Sequence, residues 1–144
     1  MHKLPDSEFE QRLSKLDNFM EKQRLDAVYM SGSTNLKYFV RLYYLPTERP
    51  AAVVVTRKRD TVFLGPLIEK EHIPYQTKLI SKIFTYQDYP GEIHPMKLFA
   101  RWLEELGLSG KRIGVDNPSF YSSSWGYRGP PLSDFIFSHQ RPRP

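Results

Sequence analysis

One segment of the chain carries aromatic and arginine side chains in close succession, and it is the first place to look for chemistry. Four aromatic residues and an arginine precede an acidic-basic-proline triplet that leads into an apolar run: Tyr38, Phe39, Arg41, Tyr43 and Tyr44, then Glu48-Arg49-Pro50. A guanidinium group can bind a carboxylate through two parallel hydrogen bonds, and tyrosine combines apolar area with a polar tip. The pattern fits a ligand-facing lip or a protein interface, and equally aromatics that pack the edge of their own domain.

Two carboxylates at predicted strand ends suggest a second kind of chemistry. Asp26 begins one predicted strand and Asp116 ends another. Two-metal nucleases use carboxylates to hold a pair of cations that stabilise the attacking and leaving oxygens. Aspartate is also common at turns and strand ends for purely local reasons. A ribonuclease H-like nuclease using Asp26, Asp116 and magnesium is therefore one alternative.

Other catalytic and metal-binding patterns are poorly supported by the sequence. The four histidines, His2, His72, His94 and His139, are far apart and form no metal-binding helical pair, and no cysteine is present. The serines at 122–124 lie in no nucleophile elbow, and the scattered glycines form no phosphate-binding loop. We therefore predict no metal ligands, no cofactor and no complete catalytic set within this chain.

Composition describes an ordinary globular domain. The 144 residues are 40% hydrophobic and 26% charged, which is enough apolar material for one core. No apolar run is long enough to cross a bilayer and the N-terminus lacks a signal-peptide pattern, so we expect a cytoplasmic protein without a membrane segment. The net charge of +5 is spread along the chain, and nucleic acid is not the favoured partner.

Hydrophobic periodicity predicts alternating helices and strands. Ser7 to Glu10 matches a capping box and opens a helix that ends near Arg24. The clearest helix is predicted at 95–106, with Gly107 at the left-handed position after its end. A brief helix is predicted at 34–40, a short one from Pro66 to Lys70 after a break at Gly65, and another from Asn117 that contains Phe120, Tyr121 and Trp125.

The strand candidates surround one strongly apolar run. Residues 51–55 are apolar without alternation, as in a strand covered on both faces, and 61–64 should return antiparallel after a turn at 57–60. Further strands are predicted at 27–30, 80–86, 111–116 and 133–137. These elements predict an α/β fold, with a mixed sheet of about five to six strands and helices on both faces. We expect a single domain over 1–140 and a mobile tail at 141–144.

The order of several short motifs resembles the N-terminal domain of the creatinase/prolidase family of Xaa-Pro peptidases. The resemblance covers roughly Phe9 to Ser138, and its specificity lies in order and spacing. The motifs are Arg12-Leu13 in the capped helix, Leu25-Asp26-Ala27, Asn35, Tyr38-Phe39, Glu48-Arg49-Pro50 before the apolar strand, and Lys111-Arg112-Ile113-Gly114-Val115-Asp116.

This resemblance implies a ribonuclease H-like domain that precedes a "pita-bread" peptidase domain absent from this chain. In the family, the peptidase domain holds two divalent metal ions, manganese or cobalt, through two Asp, one His and two Glu. The implied role here is non-catalytic: contact with the chain's own C-terminal catalytic domain, support of a homodimer, and closure of the site over proline-containing peptides. The parent protein would be a proline dipeptidase or aminopeptidase, and this fragment alone would be inactive.

The resemblance also assigns a substrate-gating role to Arg41, Tyr43 and Arg49. Family members show Tyr-Leu-Thr-Gly-Phe where this chain has Tyr38-Phe39-Val40-Arg41-Leu42. Replacing that glycine predicts a change in the backbone freedom of the loop. Degenerate relatives with the same fold bind histones without being enzymes, so a peptide- or histone-binding module is the other alternative.

Overall fold

The computed structural model describes residues 3–44, 49–87 and 92–116. The helices are α1 (Asp6–Gln23), α2 (Ser33–Val40), α3 (His72–Gln76) and α4 (Pro95–Glu105), with a 3-10 helix at Leu67–Glu69 between β3 and α3; the strands are β1 (Ala27–Met30), β2 (Ala52–Thr56), β3 (Thr61–Pro66), β4 (Lys82–Tyr86) and β5 (Ile113–Val115). The predicted helix from Asn117, the strand at 133–137 and the tail at 141–144 lie outside the described residues. No helix in the described ranges has the length and apolarity needed to cross a membrane.

The strands form one mixed sheet in the order β4-β3-β2-β1-β5. Strand β2 runs antiparallel to both of its neighbours, and the β3–β4 and β1–β5 pairs are parallel. Four strands therefore end at the same side of the sheet, which we call the carboxyl edge; it is marked by Ser31, Pro66, Tyr86 and Asp116. The opposite side, the amino edge, carries Asp26, Arg112 and the β2–β3 turn.

Both faces of the sheet are covered, as the uninterrupted apolar run in β2 predicted. Val53 and Val55 point to a cluster that includes Met20 of α1 and Leu36 of α2. The alternate residues of β2 point to a second cluster built on Phe99 and Leu103 of α4. Burying a large apolar side chain contributes about 1.5–3 kcal/mol, so these two layers hold the sheet between the helices. The predicted α/β mixed sheet is confirmed with five strands in the described residues.

The first helix begins earlier than the capping box predicted. Its N-cap is Pro5, in extended conformation, and no side chain caps the helix there, so the expectation for Ser7 was wrong. The fixed φ of proline suits a helix boundary, and the Glu8 N–H bonds the Pro5 carbonyl oxygen at 3.0 Å. Ser7 consequently lies within the first turn.

The predicted strand break at Gly65 was also wrong. Gly65 and Pro66 belong to β3 and pair in register with Thr85 and Tyr86 of β4. A Cβ atom added to Gly65 would lie 2.4 Å from the Phe63 ring, so the glycine gives that ring its space. The short helix that follows is the 3-10 turn, and α3 was not predicted because its five residues contain a proline.

Candidate functional site

The sequence-predicted gating residues lie near the carboxyl edge, where α2 ends and β2 begins. The Tyr44 hydroxyl donates to the Arg49 carbonyl oxygen at 3.0 Å, which ties the end of one described range to the start of the next. The Tyr43 N–H donates to Gln76 Oε1 at 2.9 Å, while its side chain is 65% exposed. We call Tyr43, Tyr44 and Arg49 the aromatic lip. Glu48, from the same motif, lies outside the described residues.

The Arg41 side chain is bound to α1 and to the residues before it. Its Nη1 donates to Asp6 Oδ1 at 2.7 Å and its Nη2 donates to the Leu4 carbonyl oxygen. The guanidinium carbon lies 4.6 Å from the centre of the Phe9 ring. The guanidinium group of Arg41 is therefore held by three contacts, with Asp6, Leu4 and Phe9.

A second arginine reinforces the contact between α1 and α2. The Nη1 of Arg12 donates to the Tyr38 carbonyl oxygen at 2.9 Å, and its guanidinium carbon lies 4.1 Å from the centre of the Tyr38 ring. Cation–π contacts of this kind contribute roughly 0.5–2 kcal/mol, depending on exposure. Tyr38 thus contacts Arg12 and Phe39 while it stays 48% exposed, and Tyr43, at 65%, is the more exposed of the two rings.

Asp116 binds the start of α2 with its whole carboxylate. Oδ1 accepts from the Ser31 N–H at 3.1 Å, and Oδ2 accepts from the Gly32 N–H and Asn35 Nδ2, each at 2.9 Å. Its own N–H donates to the Tyr29 carbonyl oxygen at 3.2 Å. A negative charge at a helix N-terminus is favourable because unpaired N–H groups and the helix dipole both point there. Asp116 therefore joins β5 to the β1–α2 connection.

The Tyr29 phenol is buried close to this carboxylate. Burial first, then the charge of Asp116 and the neighbouring Tyr86, raise the pKa of Tyr29 well above its ordinary value. The phenol therefore remains neutral at physiological pH and gives no base or nucleophile.

The structure does not bring the two predicted nuclease carboxylates together. Asp26 lies at the amino edge, where its Oδ2 accepts from the Arg112 N–H at 2.9 Å, and Asp116 lies at the carboxyl edge. The four residues of β1 between these edges span roughly 13 Å at the usual strand rise, whereas paired metal ions lie about 4 Å apart. Each carboxylate has a structural partner set of its own.

The two histidines in the described ranges, His72 and His94, contact residues close to them in the chain. His94 is the N-cap of α4, and its Nδ1 accepts from the Met96 N–H at 3.2 Å. His72 Nδ1 lies 3.7 Å from Glu69 Oε2. Within the described ranges, no group of three His, Asp or Glu side chains converges as a metal site requires. His2, His139 and the serines at 122–124 lie outside those ranges.

Sequence reasoning missed two residues that organise this region. Asp6 bonds Arg41, 35 positions away, and Gln76 bonds Tyr43, 33 positions away. Nothing in their local sequence distinguishes them from other surface polar residues. Asn35 was noted in the motif order, and its amide contact with Asp116 gives that motif a physical role.

Comparison with protein families agrees with this architecture. The model of the creatinase/prolidase N-terminal domain matches residues 12–124. The chain belongs to this family. An uncharacterized peptidase of Staphylococcus haemolyticus is 26% identical over 104 residues, which is 70% of this chain and 29% of that relative. The chain thus matches less than a third of the length of the curated relative.

Solved structures show the same fold. The N-terminal domain of an Xaa-Pro dipeptidase from Lactobacillus brevis superimposes with a TM-score of 0.65 at 15% identity, covering 88% of this chain and 98% of that one. A recombinant prolidase from Thermococcus sibiricus gives a TM-score of 0.67 at 14% identity, covering 95% of this chain and 32% of that one. The chain therefore shares its fold with these two structures.

Proposed function

We propose that this chain is the non-catalytic N-terminal domain of a cytoplasmic, metal-dependent Xaa-Pro peptidase, a proline dipeptidase or aminopeptidase. The observation that carries the proposal is the family match over most of the chain, together with the longer peptidase that it resembles. In this account the chemistry belongs to a C-terminal peptidase domain, whose two Asp, one His and two Glu would hold two manganese or cobalt ions. This domain would bind no metal of its own.

The role we assign to the domain is to close the substrate site with the aromatic lip. Tyr43 offers an exposed ring, and Arg49 lies three residues before the start of β2 at the carboxyl edge. In open α/β sheets, ligands bind outside the carboxyl ends of the strands, which is where this lip lies. A tyrosine ring suits proline, and an arginine suits the terminal carboxylate of a short peptide.

Substitutions in the full-length protein test the lip. Tyr43→Ala and Arg49→Ala should each raise KM for Xaa-Pro substrates about 3–30-fold, equivalent to about 0.7–2 kcal/mol of lost binding, with kcat little changed. Phe19→Ala and Arg101→Ala are matched controls, because both side chains are exposed and lie on α1 and α4. Unchanged KM in both lip variants would contradict the gating role while leaving the family assignment intact.

The domain would also support a homodimer. Leu67, Ile68 and Tyr75, on the crossover between β3 and β4, are 45%, 51% and 88% exposed, although they are large apolar or aromatic residues. Contiguous exposed apolar residues mark protein contacts. Ile68→Asp combined with Tyr75→Asp should shift the full-length protein from dimer to monomer in analytical ultracentrifugation. A dimer of unchanged affinity would place the subunit contact elsewhere.

A peptide- or histone-binding module remains the alternative within the same fold, since the aromatic lip needs no peptidase activity to bind a peptide. One assay of the full-length protein distinguishes the peptidase from the binding module. Binding of proline-containing peptides or histone tails without hydrolysis, at saturating manganese, would favour the binding module. Metal-dependent release of the N-terminal residue would favour the peptidase.

A further inference from the structure

Arg41 connects three separate parts of the structure although it was predicted to face a substrate. Its guanidinium group binds the Asp6 carboxylate and the Leu4 carbonyl oxygen, and it lies over the buried ring of Phe9. The side chain is only 17% exposed. With two of its N–H groups bonded to other residues and one planar face against Phe9, this mostly buried group is poorly placed to bind a peptide carboxylate as well.

The backbone of Arg41 has the conformation that glycine normally supplies. Its φ is 55° and its ψ is 34°, which is the left-handed region. Residues with a Cβ atom enter this region at a cost, and they remain there only where the surroundings hold them. Here the Arg41 N–H donates to the Lys37 carbonyl oxygen at 3.2 Å and the Leu42 N–H donates to the Leu36 carbonyl oxygen at 3.1 Å. The chain therefore reverses at Arg41 as it would at a glycine.

This reversal determines how the following residues are presented. Leu42 is buried, at 2% exposure, while Tyr43 is 65% exposed. The Tyr43 N–H then reaches Gln76 Oε1 at the end of α3, at 2.9 Å. A change in the backbone angle at Arg41 would move both residues, because they directly follow it.

We propose that Arg41 is a positioning residue for the aromatic lip. Its ion pair with Asp6 and its contact with Phe9 hold the left-handed reversal after α2, and the reversal places Tyr43 beside α3. Arg41 acts through Tyr43 and does not contact the peptide. The ligand in this statement rests on the proposed function, but the positioning itself is a property of this domain.

Amide hydrogen exchange on the 144-residue chain tests the positioning without any substrate. Asp6→Asn removes the negative charge of the ion pair and leaves the arginine at position 41 unchanged. We expect exchange at the Tyr43 amide to accelerate at least threefold, with the Val54 amide of the central strand unchanged. Asp17→Asn is the matched control, because it removes an ion pair between α1 and Arg57, whose Nε lies 2.9 Å from Asp17 Oδ1, at the β2–β3 turn.

Arg41→Gly distinguishes the effect of the backbone conformation from the effect of the side chain. Glycine adopts the left-handed conformation freely but has no guanidinium group, so accelerated Tyr43 exchange in this variant would show that the side chain holds the reversal. Tyr43 exchange at the wild-type rate in both Asp6→Asn and Arg41→Gly would overturn the proposal. An equal acceleration in Asp17→Asn would also overturn it, because the effect would then be a general loosening of α1.

A kinetic readout links the positioning to the site. In the full-length peptidase, Asp6→Asn should raise KM, as Tyr43→Ala does, and leave kcat unchanged. Asp6 is not part of the aromatic lip and contacts Arg41. Wild-type KM in Asp6→Asn beside a raised KM in Tyr43→Ala would contradict the coupling and leave the lip itself intact. If the full-length protein hydrolyses nothing, the proposed function fails, and the exchange result still decides the role of Arg41.

Discussion

Among the residues that the structure describes, three arginines occupy left-handed backbone positions, which glycine and asparagine adopt more readily. Arg24 and Arg41 follow α1 and α2 with φ of 55°, and Arg59 closes the β2–β3 turn with φ of 70°. The side chains of Arg41 and Arg59 both contact α1. Arg41 Nη1 lies 2.7 Å from Asp6 Oδ1, and Arg59 Nη2 lies 3.5 Å from Glu10 Oε2. For Arg41 and Arg59, the unfavourable backbone angle is thus accompanied by a side-chain contact that glycine could not make.

Asp116 accepts three hydrogen bonds at the carboxyl edge, so its replacement should destabilise the fold. Asp116→Ala would leave three donors at the start of α2 without their acceptor, and each lost bond of this kind costs about 1 kcal/mol or more. We expect the free energy of unfolding in urea to fall by about 2–3 kcal/mol. Asp17→Asn, at a partly exposed ion pair, should cost below about 1 kcal/mol. Equal losses in the two variants would contradict the capping role of Asp116.

The buried phenol of Tyr29 predicts a loss of stability in alkali. Its folded pKa is raised above the ordinary value of 10, so the unfolded state releases this proton first as the pH rises. Stability is then lost from about pH 10 upward, because unfolding is coupled to deprotonation. Urea unfolding of the wild type and Tyr29→Phe at pH 8 and above 10 measures the effect. The variant should lose less stability over this interval, and parallel losses would refute the assignment.

At the scale of elements, strong periodicity predicted what lies in the core. The helix ending before Gly107 was predicted from its apolar spacing, and Gly107 has the expected positive φ of 76°. The short helix α3 was missed because its five residues contain a proline, and the N-cap at Pro5 was missed because no side chain caps the helix there. The contacts of Asp116 could not be predicted either, since its partners lie more than 80 residues earlier in the chain. Local pattern thus indicates elements, while long-range polar contacts require the fold.

The cap of α4 predicts sensitivity to acid. Burial first, and then the charge of Lys97, lower the pKa of His94 from its ordinary value of 6.5. The unfolded state therefore takes up this proton first as the pH falls, and protonation of Nδ1 removes the acceptor for the Met96 N–H. Stability should fall slightly as the pH drops from 7.5 to 5.5, because solvent screens this exposed side chain. His94→Asn keeps an acceptor that does not titrate, so its unfolding should vary less with pH over this range; an identical dependence would contradict the account.

At the scale of the whole molecule, the two edges of the sheet differ in what they present. The carboxyl edge has Tyr43, Leu67 and Ile68 exposed, whereas the amino edge has the basic β2–β3 turn bound to α1. The sequence predicted the α/β class and the family from the order of its motifs. It did not predict that Arg41 turns inward while Tyr43 turns outward, because that division depends on α1 and α3 meeting the end of α2.

The most direct test of the central proposal is an activity assay of the full-length protein that carries this domain. With manganese or cobalt, it should hydrolyse Xaa-Pro dipeptides or longer Xaa-Pro peptides, and chelation should abolish the activity. Tyr43→Ala should raise KM, while Phe19→Ala should not. Absence of metal-dependent Xaa-Pro hydrolysis by a folded full-length protein would contradict the peptidase assignment and leave a peptide-binding domain of the same fold.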